Sequence, residues 1–78
     1  MGGDTEKEIL SILEEAIKRE RAAYNLYSRG FRLAEKAEIK NMFEKLAQEE
    51  LGHEKLLTEI YHDYKKRLGL KVLHNDEE

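Results

Sequence analysis

The sequence predicts an all-α protein: an antiparallel hairpin of two long helices, about residues 5–35 and 38–68, that dimerises into a four-helix bundle. Three observations carry that expectation. Helix-breaking residues are scarce, with no proline and five glycines in 78 residues, which favours long helices. Apolar side chains recur at spacings of three and four in both halves of the chain. A chain this short buries only about 60 % of the surface its unfolded form exposes, so one hairpin leaves its core incomplete and needs a disulfide, a metal or a partner. There is no cysteine, which removes disulfides and thiolate metal sites. Metal held by Glu and His, or a second copy of the chain, remains.

Helix one is expected to start at Thr5, which with Glu8 fits a capping box, S/T-x-x-E. Ile9, Leu13, Ala16, Ile17, Glu20, Ala23, Tyr24, Tyr27, Phe31 and Ala34 then fall on one stripe. Glu35-Lys36-Ala37-Glu38 offers the only room for a reversal, and a connection that short makes consecutive helices antiparallel. None of the four is Gly, Pro, Asn or Asp, so one continuous helix is the competing expectation. In helix two, Ile39, Phe43, Leu46, Glu50, His53, Leu57, Ile60 and Tyr64 alternate steps of four and three, the seam of bundle packing. Lys65-Lys66-Arg67 suits the negative end of a helix dipole, and Gly69 stands where a left-handed cap would close the helix. Residues 70–78 read as a C-terminal tail. The whole chain is a single domain with no internal linker.

Charge narrows the function classes. Charged residues make up 40 % of the chain at a formal net charge of −3, with both signs interleaved. No basic footprint suggests nucleic acid. No apolar run reaches the roughly 20 residues of a membrane span, and the acidic start is unlike a signal peptide. A cytoplasmic location, or one inside a protein compartment, is expected.

Each helix carries acid or imidazole where its pattern reserves an apolar residue: Glu20 in helix one, Glu50 and His53 in helix two. A buried, unpaired carboxylate costs several kcal/mol, so such groups are paired, protonated or bound to a cation. Surface exposure and a structural polar layer are two explanations. The third is metal, because Glu-x-x-His at i, i+3 aims a carboxylate oxygen and an imidazole nitrogen at one point beside the helix. The two acids lie at similar distances from the bend, so an antiparallel hairpin brings them level. A di-iron carboxylate centre takes four carboxylates and two histidines. One chain supplies half of that set, and a two-fold dimer supplies all of it.

The segments AIKRERAAYNLY and FEKLAQEELGHEKLL resemble one half of a rubrerythrin, in the ferritin-like superfamily, over about residues 9–65. The thirty-residue separation of Glu20 and Glu50 is also similar to that of the two-helix encapsulated ferritins, which build a ferroxidase centre across a dimer. The resemblance implies a ferritin-like bundle. It implies iron, two per dimer, with Glu20 a terminal ligand, Glu50 a bridging carboxylate, His53 a terminal nitrogen ligand and Tyr27 a phenol beside the site. It implies oxidation of Fe(II) by dioxygen or peroxide, as a ferroxidase or a rubrerythrin-like peroxidase. Glu and His also suit manganese and zinc. Rubrerythrins of the full type carry a cysteine-ligated iron domain that feeds electrons to the centre. Without cysteine, a peroxidase cycle calls for an external electron donor. The encapsulated ferritins imply an enclosing shell as a partner, for which the tail GLKVLHNDEE carries no clear docking signal, and Arg19, Arg21 and Ala22 stand where those proteins tend to have further acids.

The rival class is a non-catalytic structural or adaptor hairpin whose polar or metal-stabilised layer sets register, as a buried Asn does in coiled coils. Tyr24 and Tyr64 read as core, and a bundle core also accommodates Tyr27. His62 and His74 read as solvated, as do Glu49 and Glu54 on either side of the motif. Gly52, which costs about 1 kcal/mol inside a helix, calls for close helix approach or room for an oxidant.

Overall fold

The structure is a computed structural model that describes the backbone of residues 2–76 and the side chains of residues 5–69. Two helices, α1 (Gly2–Leu33) and α2 (Ala37–Asp76), form the expected hairpin, so the single continuous helix is excluded. Only Ala34, Glu35 and Lys36 are non-helical between them. No helix among the described residues is long and apolar enough to cross a membrane.

The bend needs no turn residue because a side chain from the next helix closes it. Ala34 N–H donates to Gly30 O at 2.9 Å, completing the last turn of α1. Lys36 O accepts from the N–H groups of Ile39 and Lys40 at 3.1 and 3.0 Å, opening α2. Lys40 then reaches back. Its Nζ donates to Phe31 O at 2.7 Å and lies 4.5 Å from the centre of the Phe31 ring. A cation thus satisfies one of the carbonyls that every helix C-terminus leaves orphaned, at the negative end of the dipole. Glu38 in the first turn of α2 complements the opposite pole.

One turn further from the bend, the helices touch through Gly30 and Phe43. A Cβ built at Gly30 would stand 2.8 Å from Cε1, Cε2 and Cζ of Phe43, so the glycine is the slot for the end of that ring. The same ring lies 6.4 Å, centroid to centroid, from Tyr27. Towards the open end, the Tyr61 hydroxyl donates to Glu14 Oε2 at 2.8 Å.

Several expected boundaries are corrected. Helix one starts at Gly2 rather than at residue 5 and ends at Leu33 rather than 35. Thr5 is therefore an interior helical residue and not a cap. Helix two starts at Ala37 and runs to Asp76, past the expected end at 68. No described glycine has positive φ, so Gly69 continues the helix instead of capping it. A lone interior glycine costs only about 1 kcal/mol, and no proline follows to stop the chain. The expected tail is helical as far as Asp76; residues 77 and 78 lie outside the described residues.

The hairpin is one helix thick, 58 × 22 × 13 Å across its Cα atoms. Among the described residues only Ala47 is buried, at 6 % exposure. The chain exposes 6403 Å², whereas a compact monomer of its 9.2 kDa mass would expose about 4,900 Å². Of the expected seam, Phe43, Leu46, Glu50, Leu57 and Tyr64 are half-buried, whereas Ile39 and Ile60 are exposed at 38 % and 44 %.

Most of the bare apolar surface has a definite side, Leu51 at 38 % exposure being an exception on the flank of Arg21 and Glu54. With 3.6 residues per turn, exposed Ile12, Leu26 and Leu33 lie roughly a fifth to two-fifths of a turn around α1 from Glu20. Exposed Met42, Leu56 and Ile60 lie roughly a fifth to a third of a turn around α2 from Glu50, in the same rotational sense. In antiparallel helices the same sense leads to the same side of the pair. The two rows therefore form one face.

Candidate metal centre

Glu20 enters from the middle of α1, Glu50 and His53 from the facing turn of α2. His53 Nδ1 lies 3.5 Å from Glu20 Oε1 and 3.7 Å from Glu50 Oε1. One ligand atom from each of the three lies within 4.8 Å of the other two. The side chains of Glu20 and Glu50 are 25 % and 18 % exposed, and His53 is 60 % exposed, towards the bare apolar face. The structure thus brings together all three residues that the sequence singles out as metal ligands.

Glu20 Oε1 is sealed from solvent and has no hydrogen-bond partner. The imidazole nitrogen nearest to it, at 3.5 Å, is beyond the 2.7–3.2 Å or so of an N–H···O bond. A carboxylate oxygen left in that state is costly. An ion held between Glu20, Glu50 and His53 would remove the cost, and two carboxylates with one imidazole suit iron, manganese or zinc. Ligand bonds of about 2.0–2.2 Å would ask the three atoms to close in slightly, which carboxylate rotation supplies. The donor set is one that could hold such an ion.

The flank opposite the bare face is closed. Arg21 Nε donates to Glu54 Oε2 at 2.5 Å, bridging α1 and α2 directly beside the ligands. Glu54, expected to be solvated, is held to 21 % exposure by that pairing. Its periodicity gave no sign of this, because the position faces the groove between the helices only once Arg21 is known to cross it. Glu49 and His62 are exposed as expected, and His62 meets the edge of the Tyr61 ring at 5.5 Å. His74 lies outside the described side chains.

Tyr27, the candidate phenol, is two turns from Glu20 towards the bend, half-buried against Phe43. Tyr24 and Tyr64 are half-buried. A Cβ at Gly52 would meet nothing within 4 Å, so close approach of α1 is not what the glycine serves.

The sequence model of the rubrerythrin family matches residues 11–78. No curated protein and no solved structure matches the chain. The matched segment contains Glu20, Glu50, His53 and Tyr27, all of α2, and α1 from residue 11 onward. The chain belongs to the rubrerythrin family of the ferritin-like superfamily.

Proposed function

We propose that two copies of the hairpin associate through the bare apolar face into a four-helix bundle, and that the pair holds a di-iron centre that oxidises Fe(II) with dioxygen or peroxide. The observation that carries this reading is the meeting of Glu20, Glu50 and His53 around an unpartnered, solvent-sealed Glu20 oxygen. His53 stands at the margin of the apolar face, so a two-fold axis through that face brings a second set of ligands alongside the first. The doubled set has the four carboxylates and two histidines of a di-iron bundle.

Bound iron supplies one-electron redox chemistry, and two Fe(II) together match the two electrons that reduce one peroxide to water with two protons. The chain's own residues do the rest. Glu20 and His53 hold from opposite helices and fix the spacing of the centre. Glu50, the least exposed of the three, would hold the centre from α2 together with His53. Leu56, Ile60 and Met42, once covered, exclude bulk water from the ligands. Tyr27 provides a phenol on the side of the bend. With no cysteine in the chain, re-reduction falls to an external donor.

Anaerobic loading with Fe(II), followed by a pulse of dioxygen or peroxide under near-ultraviolet observation, tests the reading. Uptake of about two Fe(II) per dimer and oxidation faster than in protein-free buffer are expected. Glu50→Ala should abolish tight binding, His53→Ala should weaken it, and His62→Ala should leave it unchanged. Equal binding by the wild type and Glu50→Ala would place the metal elsewhere. Binding without accelerated oxidation would leave a metal-stapled structural hairpin.

A further inference from the structure

The Arg21–Glu54 pair repeats the Glu20–His53 contact one residue later in each helix. Both partners are thus chain neighbours of metal ligands, and Glu54 lies one turn beyond Glu50 on the same stripe of α2. Two carboxylates four apart on a helix repel when both are free. Arg21 removes that repulsion by binding Glu54 across the groove. The arrangement also occupies Arg21, the chain neighbour of Glu20, which binds α2 one turn beyond Glu50 and shares that flank with Glu59.

We propose that the Arg21–Glu54 pair sets the ligand number of the metal centre, Arg21 holding Glu54 out of the metal set and Glu54 holding Arg21 off the ligand carboxylates. This rests on the metal reading above. The charges agree with it. Two ligand carboxylates per chain, four in a two-fold pair, balance two divalent ions with none left over. A free Glu54 in each chain would add unbalanced negative charge and invite further cations. A free Arg21 would compete with the metal for Glu20 and Glu50. Arginine suits this task because it cannot shed its charge and reaches Glu54 across the groove through its Nε. Both are positioning residues: neither touches the metal.

Four proteins decide the matter: wild type, Glu54→Gln, Arg21→Gln and the double variant, each titrated anaerobically with Fe(II) by calorimetry, with helicity checked by circular dichroism. Glu54→Gln should bind at least about tenfold more weakly, the scale on which groups behind metal ligands act. Arg21→Gln should bind the wild-type number at least as tightly and take up additional Fe(II). The double variant, with neither a free cation nor a free acid, should return to within about threefold of wild type. A double variant as weak as Glu54→Gln shows that the pair is only a clamp and overturns the proposal, as does wild-type affinity in Glu54→Gln. Should Glu54→Gln lose its helicity, Arg21→Gln decides alone: a stoichiometry no higher than wild type overturns the proposal. A wild-type protein that binds no Fe(II) overturns the metal reading and this proposal with it, whereas normal wild-type binding with a failed cycle removes this proposal only.

Discussion

Replacing Gly30 by alanine sets two opposed effects of known size against each other at one methyl group. Within a helix the change from glycine to alanine is favourable by about 1 kcal/mol. Here the new Cβ would lie 2.8 Å from three atoms of the Phe43 ring, whereas carbon atoms in contact sit about 3.5–4.0 Å apart. The ring must retreat by roughly 0.7 Å or more. Its room is limited, because Phe43 is half-buried and packed beside Tyr27. Overpacking of this kind costs about 1–3 kcal/mol, so Gly30→Ala should destabilise by about 1 kcal/mol net. In a Phe43→Leu background the ring tip is gone, and the same substitution should stabilise by up to about 1 kcal/mol. The coupling between the two sites is then about 2 kcal/mol. Thermal or urea unfolding of the four metal-free proteins at one fixed concentration reads it. For a chain of this size 1 kcal/mol corresponds to about 4–8 °C in Tm. Equal stabilisation by alanine in both backgrounds would show that the helices do not meet at Gly30 and Phe43, and the close crossing beside the bend would fall with that result.

Three further outcomes follow from the same geometry. Leu56→Asp or Ile60→Asp, on the bare face, should turn a dimer, or a multiple of dimers, into a poorly folded monomer in light scattering, whereas Lys55→Asp on the other flank should not; a stable folded wild-type monomer at micromolar concentration would refute the shared site. Lys40→Met keeps the stem over Phe31 but loses the bond to Phe31 O, and should cost about 1–2 kcal/mol in unfolding experiments, the value of a charge-assisted bond and a cation–π contact at a partly exposed corner. Stripping metal with a chelator should lower Tm in the wild type and leave Glu50→Ala unmoved, because only a protein that binds the ion in its folded state gains from it.

The two helices and the meeting of Glu20, Glu50 and His53 were legible because each depends on local spacing: steps of three and four place side chains on one stripe whatever they pack against, and Glu50 and His53 share a turn of one helix. Glu20 became legible through its distance from the bend. The bend itself was legible only as a gap in a pattern, because its cap is Lys40, a side chain from the following helix acting on the carbonyl of Phe31. The role of Gly30 was not legible for the same reason: its meaning lies in Phe43, thirteen positions away. Glu54 was misread as solvated since nothing in its own helix announces Arg21. The end of α2 was misplaced because basic residues followed by glycine are compatible with a cap and with a continuing helix, and no proline was present to decide.

The positions of the fasteners explain how a structure with a single buried residue among those described can still hold Glu20, Glu50 and His53 together. Towards the bend, Lys40 on Phe31 and Phe43 in the Gly30 slot fix the register and separation of the helices. Beyond the ligands, Tyr61 on Glu14 ties the helices again, and Arg21 on Glu54 closes one flank at the level of the ligands. Among the described residues the remaining flank has no such tie, and there the chain carries most of its exposed apolar side chains and the exposed edge of His53. Loss of the fasteners would let the helices slide, moving Glu20 relative to His53. Loss of the apolar face would leave the helices in register and remove the second set of ligands. Variants of the two kinds should therefore separate in their binding curves: the first should weaken every site in proportion to the slippage, whereas the second should make metal affinity depend on protein concentration, since each ion then waits on the association of two chains.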